Sequence, residues 1–241
     1  MKIRRLSFVT IICLALISIA DCSGKNDDDD DGHDLSYDDD TWYDDDSWSE
    51  GDSWVGLDFE QYALGNLPFP WTTAGHGQTT IQVQYSPTGS KALEIIGGYG
   101  FDDRGIAKTP ASLPYNGELW GTIDIWLEPG AVFAFAIENE NGKAAYFSRD
   151  PSSGNLLAWD YSTDPPEAKD CGPLPNQTWI NVELYLSGVD YGANTDFGYC
   201  HADAEGEISK KIIGLWFADL TGTEYGGTVY FDDISIQNVV G

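Results

Sequence analysis

The sequence predicts an all-β fold: a two-sheet antiparallel β-sandwich (jelly roll) carried behind a disordered acidic N-terminal spacer. Three observations predict it. Apolar and polar residues alternate in short runs, the period of a strand with one buried face. Clusters of Gly, Pro, Asn and Asp punctuate those runs at roughly ten-residue intervals, the spacing of sandwiches and barrels. No window offers a convincing helical period. The length after the N-terminal segments, with strand-like sequence at both ends, favours the two-sheet jelly roll. No internal repeat is visible, which sets aside propellers and solenoids.

The first element is an export signal, residues 1–21. It has a basic start (Lys2, Arg4, Arg5) and an apolar run from Leu6 through Ala20, the n- and h-regions of a secretory signal. Ile19-Ala20-Asp21-Cys22 then resembles the lipobox of bacterial lipoproteins. That resemblance implies acylation of Cys22 and a lipid tether to the outer membrane or cell surface. Asp21 stands where the pattern has a small residue, so cleavage nearby to a secreted or periplasmic protein is the alternative. The apolar run is short for a retained span, which needs about 20 residues.

The second element, residues 22–53, is an acidic spacer. Asp27 to Asp31, Asp38 to Asp40 and Asp44 to Asp46 dominate it, and Leu35 is its one aliphatic side chain after Cys22. Such a segment buries too little apolar surface to offset its ordering entropy, and like charges extend it. Trp42, Tyr43 and Trp48 are the unusual residues in it.

The third element, residues 54–241, is the folded domain. From residue 55 onward it carries 25 Asp plus Glu against 8 Lys plus Arg. That balance excludes nucleic acid, whose binding rests on basic residues neutralising phosphates. It also argues against anionic membrane surfaces. Neutral polysaccharides, cations and basic partners remain. Cys13 lies in the signal and Cys22 is the candidate lipid site, which leaves Cys171 and Cys200. In an oxidising compartment such a pair forms a disulfide, worth about 3 kcal/mol in the chain-entropy account.

The strands follow in order. Ile81, Val83 and Tyr85 alternate with Gln82 and Gln84. Ile123, Ile125 and Leu127 alternate with Thr122, Asp124, Trp126 and Glu128. Phe133, Phe135 and Ile137 form a third set, and Ile180, Val182, Leu184 and Leu186 a fourth. Further strands are expected near 92–96, 144–147, 156–161, 212–217 and 227–236. Turn signals separate them at Pro87-Thr88-Gly89-Ser90, Glu128-Pro129-Gly130, Asn139-Glu140-Asn141-Gly142 and Pro151-Ser152-Ser153-Gly154.

The last strand holds Val229 and Phe231 on one parity and Ile234 and Ile236 on the other. For all four to face the core, the chain must slip phase at Asp232-Asp233, as a β-bulge does. Two carboxylates then turn toward one edge, a setting of hard oxygen ligands that suits calcium.

The domain opens Leu57-Asp58-Phe59-Glu60, continues through Gly89-Ser90-Lys91-Ala92-Leu93 and closes Tyr230-Phe231-Asp232-Asp233-Ile234. These motifs resemble the concanavalin A-like (laminin G-like) domains and the carbohydrate-binding modules. The resemblance implies a jelly roll with a structural calcium held by Glu60 and Asp232, with Asp58 and Asp233 as further candidates. Thr122-Ile123-Asp124-Ile125-Trp126-Leu127-Glu128 is similar to the strand motif of the laminarinase-like glucanases. There the first residue is a nucleophilic Glu, and Thr122 replaces it here. Without a nucleophile the retaining mechanism fails, so no catalytic residue is expected. His76 and His201 read as surface or loop residues.

The same strand presents a binding face. Asp124, Trp126 and Glu128 share the side opposite the core. A ring stacks on a pyranose face, and flanking carboxylates accept hydroxyl hydrogen bonds. Trp159 and Tyr161 are expected to extend that platform. The leading expectation is a non-catalytic lipoprotein binding extracellular or cell-surface glycan. A structural or adhesion protein with a protein partner and a divergent glycoside hydrolase are the alternatives.

Overall fold

The computed structural model describes residues 54–68, 71–75, 80–97, 105–115, 117–204, 211–219 and 227–238. All lie within the compact unit Asp46–Gly241. The expected signal, Cys22, the acidic spacer and His76 lie outside the described residues.

The described residues form fifteen strands and no helix. They are β1 (Trp54–Leu57), β2 (Thr72–Gly75), β3 (Thr80–Tyr85), β4 (Lys91–Ile96) and β5 (Gly105–Pro114). Then come β6 (Glu118–Leu127), β7 (Phe133–Asn139), β8 (Gly142–Arg149), β9 (Asn155–Asp160) and β10 (Glu167–Pro173). The last are β11 (Trp179–Ser187), β12 (Asp190–Thr195), β13 (Gly198–Asp203), β14 (Lys211–Asp219) and β15 (Thr228–Asn238). They pair into two sheets. The first runs β13-β12-β11-β6-β15-β4-β3, with β1 also on β15; the second runs β10-β9-β8-β7-β14-β5-β2. Neighbours in these sheets pair antiparallel, as the two-sheet jelly roll requires.

Alternation fills the space between the sheets. Ile123, Ile125 and Leu127 of β6 and Val182 and Leu184 of β11 are buried there. They meet a phenylalanine cluster on the second sheet. Phe231 of β15 packs edge-on against Phe133 at 5.4 Å between ring centres and lies 4.9 Å from Phe217. Phe135 stacks on Phe147 at 4.8 Å. Tyr191 of β12 crosses the core, and its hydroxyl donates to the carbonyl of Trp159 on the second sheet.

The expected disulfide is present. Cys171 of β10 is bonded to Cys200 of β13, joining the edge strand of one sheet to the edge strand of the other. The backbones approach closely beside it. A Cβ on Gly172 would lie 2.9 Å from the Phe197 carbonyl oxygen, and one on Gly198 would lie 2.7 Å from that of Cys171. Only glycine fits both places.

The phase slip predicted in the last strand is also present. The β15–β6 register shifts between Asp232 and Ser235, and Asp233 has φ 44°. Its place has a structural reason. Before the slip β15 pairs with β4, and after it β15 pairs with β1. The bulge is the hand-over between two neighbours, and it keeps Val229, Phe231, Ile234 and Ile236 all buried.

One buried cation ties loops at an end of the sandwich. Arg149 is 8% exposed, and its guanidinium donates to the carbonyl of Ala131 at 2.6 Å and to Asn176 Oδ1 at 2.9 Å. Burial without a carboxylate among these acceptors pushes its pKa down.

Candidate functional site

The hand-over at the bulge brings the end of β1 and the start of β4 to the middle of β15, and with them the carboxylates singled out in the sequence. The end of β1 leads into Asp58 and Glu60, the start of β4 supplies Lys91, and β15 supplies Asp232 and Asp233. Asp232 is 7% exposed. Burial pushes its carboxyl up to about 7, with the charges of Asp233 and Glu60 adding to the shift. Burial likewise raises Asp233, and the charges of Asp124, Asp58 and Glu60 act in the same direction.

These carboxylates share a neighbourhood without forming a calcium cage. Calcium takes six to eight oxygens converging on one point. Among the described residues, no group of three or more His, Cys, Asp or Glu side chains is arranged to hold a metal. The acceptors are instead engaged one by one. Glu60 Oε1 accepts the Lys91 backbone N–H at 2.8 Å, and Asp232 Oδ1 accepts that of Asp233 at 2.9 Å. The Lys91 ammonium donates to the carbonyls of Glu60 and Tyr62 at 2.7 and 2.9 Å. A tethered cation thus occupies the two carbonyl oxygens the turn offers. As placed, Glu60, Asp232, Asp58 and Asp233 lie near one another, and Glu60 and Asp232 accept hydrogen bonds from backbone N–H groups.

The aromatic site is built by β6 and its two neighbours. Thr122, Asp124 and Trp126 stand on the parity opposite the buried Ile123, Ile125 and Leu127, so they line the outer side of the first sheet. Register then sets the partners. Trp126 is paired with Trp179 of β11 on one side and Tyr230 of β15 on the other. Tyr230 is paired with Glu94 of β4, and Glu94 with Gln82 of β3. One row across five strands therefore reads Trp179, Trp126, Tyr230, Glu94, Gln82.

That row is held in place by specific contacts. The Trp126 and Trp179 rings meet edge-on at 5.9 Å. Trp179 Nε1 donates to Thr88 Oγ1 at 2.8 Å. The Tyr230 hydroxyl donates to Glu94 Oε1 at 2.9 Å, and Gln82 Nε2 donates to Glu94 Oε2 at 2.8 Å. Burial, and then the Glu94 carboxylate accepting its hydrogen bond, raise the Tyr230 pKa. Trp126 Nε1 is buried with no hydrogen-bond partner among the described residues. In the next row Asn181 Nδ2 donates to Asp124 Oδ1 at 2.6 Å. In the row after that, Asn194 Nδ2 donates to Glu183 Oε2 at 2.8 Å. Each of these three carboxylates takes neutral donors; Asp124 and Glu183 keep accessible lone pairs for a ligand hydroxyl, while Glu94 is buried.

The structure brings Trp126 and Asp124 together on this face. Glu128 lies just past the end of β6, close enough for its charge to raise Tyr230. Trp159 and Tyr161 are elsewhere, and the expected extension through them is corrected. Trp159 stands on β9 in the second sheet, where its Nε1 donates to Ser148 Oγ at 2.8 Å beside Tyr146. Tyr161 follows β9, and its backbone N–H donates to the Asp203 carbonyl. Alternation along a strand fixes which face a residue takes, but not which sheet the strand joins.

Several residues of this face escaped the sequence reading, among them Tyr230, Glu94, Trp179, Trp120, Asn181 and Glu183. Tyr230 and Glu94 were legible as the polar parity of their strands. Trp179 and Trp120 were legible too, because each shares the parity of outward residues on its strand. Trp120 lies at the other end of β6, 48% exposed, with its ring 6.4 Å from Tyr185. His201 lies on β13, exposed, with Nδ1 3.6 Å from Asp190 Oδ1. A separate depression of about 800 Å³ opens there, lined by Asp160, Lys169, Tyr199 and His201 among others. Its Asp160 is already satisfied by Ser162 and Lys169. It contains no tryptophan to serve as a stacking surface.

No family model and no curated relative matches the sequence. Solved structures match the fold. A sialidase superposes with a TM-score of 0.61 at 10% identity, over 78% of this chain and 18% of that one. This chain therefore spans less than a fifth of the sialidase's length. Crh5 transglycosylase in complex with NAG gives 0.55 at 12% identity, over 78% of this chain and 85% of that one. Its apo form gives 0.54 at 11% identity over the same shares. At these identities the likeness is one of fold.

Proposed function

We propose that this protein is a non-catalytic glycan-binding module whose site is the outer side of the first sheet. The observation that carries the reading is the row Trp179–Trp126–Tyr230, flanked by Asp124, Asn181 and Glu94. Tryptophan rings offer a flat apolar surface to the axial C–H face of a pyranose. Carboxylates and amides fixed beside them orient the hydroxyls. The solved folds that superpose on the chain include a transglycosylase in complex with NAG, which is in keeping with a glycan ligand.

The sequence adds the setting: export by residues 1–21, a tether through acylated Cys22, and residues 22–53 as the spacer between membrane and domain. Cell-surface glycan or extracellular polysaccharide is then the accessible ligand. An adhesion role toward a protein has one observation in its favour, the exposed Phe197 (50%) and Tyr199 (76%) at the β13 edge.

A glycan array on the full chain and on Trp126→Ala separates the readings. The proposal expects binding that weakens about tenfold in the variant, the scale of one lost stacking partner. Binding unchanged by Trp126→Ala moves the site elsewhere. Full-chain binding to no glycan, with a protein ligand captured through Tyr199, replaces the glycan reading with the adhesive one.

A further inference from the structure

The first sheet carries a charge asymmetry that the second sheet does not share. The eight strands of that sheet contain eight Asp or Glu side chains and one Lys or Arg. The one cation is Lys91, and its ammonium is already committed to two backbone carbonyls at the bulge. The second sheet, by contrast, carries Lys108, Lys143, Arg149, Lys169 and Lys211. On the first sheet the carboxylates of Asp124, Glu183 and Glu94 are met by neutral amides and a phenol. A ligand lying there meets acceptors and negative charge, with no cation to answer an anionic group.

The aromatic surface on this side has two ends. Trp126 and Trp179 form one; Trp120 and Tyr185 form the other. Six residues of extended strand separate Trp120 from Trp126, about 20 Å at the rise of a β-strand. Between them lies a polar strip of Thr122, Asp124, Asn181 and Glu183. The Trp120 end is also pre-set. A Cβ on Gly192 would fall 2.6 Å from Tyr185 Cε1, so the tyrosine ring lies directly over that glycine.

We infer that the ligand is a linear polysaccharide free of anionic groups, lying along β6 from Trp126 to Trp120, with amine-bearing sugars bound at least as tightly as neutral ones. The inference rests on the glycan reading above and adds two things to it: the class of sugar and the direction of the chain. Two stacking ends separated by an acceptor strip select a run of several sugar units over a single terminal one. Hydroxyls and ammonium groups donate to Asp124 and Glu183. Uronate, sulfate or sialate groups meet uncompensated like charge, which costs affinity. Desolvation and the charge of Asp190 push the Tyr185 hydroxyl up to about 12, so it stays a neutral donor at the Trp120 end.

The test is a binding panel on the full chain: soluble neutral glucans, mannans and xylans; a water-soluble chitosan; and alginate and pectate as polyanions. The inference expects neutral chains and chitosan to bind, and the polyanions to bind at least tenfold more weakly. Chitosan binding weakens with added salt and neutral-chain binding does not, because only the former is screened. Trp120→Ala and Trp126→Ala each reduce binding about tenfold, while Glu183→Gln with Asp124→Asn removes the preference for chitosan. Polyanions binding best would overturn the sugar class and leave the glycan reading standing. Loss in Trp126→Ala with none in Trp120→Ala, which is exposed and outside the core, would overturn the direction along β6. Failure of every polymer would overturn the glycan reading itself, and this inference with it.

Discussion

Asp232 shows how one residue can be set by topology. It sits where β15 exchanges β4 for β1, so it lies between the start of β4 and the end of β1, beside other carboxylates. A carboxyl raised to about 7 in the fold and near 4 in the unfolded chain is protonated preferentially when folded. The sign follows from linkage. Its contribution is fullest below pH about 4 and falls as pH rises through about 7, by an amount on the order of 4 kcal/mol. Asp233 is shifted the same way. Asp150 and Asp160 are held low by hydrogen bonds from their neighbouring serines, with Lys169 also lowering Asp160. They act only at more acid pH. Urea midpoints of the full chain should therefore fall between pH 5 and pH 8, and Asp232→Asn should flatten that slope. A wild-type midpoint that rises over the same range would contradict this account of the bulge. Calcium should leave the midpoint at pH 8 unchanged, since Lys91 already holds the carbonyls.

At the scale of elements, legibility in the sequence followed the strength of alternation. β7 and β11 carry unbroken apolar parities and were read where they occur. β6 was read short, because Glu118-Leu119-Trp120-Gly121 breaks its apolar set with a glycine. β12 (Asp190–Thr195) and β13 (Gly198–Asp203) were missed. Their inward positions are filled by Tyr191, Ala193, Cys200 and Ala202, too few and too small to make a pattern. β5 carries two prolines, Pro110 and Pro114, and was not among the expected strands. The bulge was legible because four large apolar residues on two parities admit no other solution. The division of Trp126 and Trp159 between sheets was not, because sheet membership depends on partners far along the chain. The weakest-patterned elements lie at the disulfide edge, where covalent bonding supplements a thin core. Replacing Cys171 and Cys200 together by serine should lower unfolding free energy by about 3 kcal/mol. Guanidinium titration of the double variant checks this, and a change below about 1 kcal/mol would show the edge to be held by its side-chain contacts instead.

For the whole molecule, the two outer sides differ in kind. The second sheet covers its outer side with its own groups: Ala134, Ala136 and Ala218 are buried beside Trp216 and Tyr146, and Lys143 lies over both of those rings, 4.3 Å from the centre of Tyr146 and 4.9 Å from that of Trp216. The first sheet leaves Trp120 half exposed and arranges carboxylates, amides and rings in register across five strands. A shared jelly-roll architecture says nothing about which side is used, or for what. The charge asymmetry and the aromatic spacing are what the proposed site rests on, and both come from this chain's own residues. The most direct measurement is a crystal structure of the full chain with an oligosaccharide drawn from the neutral or amine-bearing class. The account predicts sugar rings stacked over Trp126 and Trp179 and continuing along β6 toward Trp120. Sugar bound over Tyr146, Trp159 and Trp216 on the second sheet would contradict it.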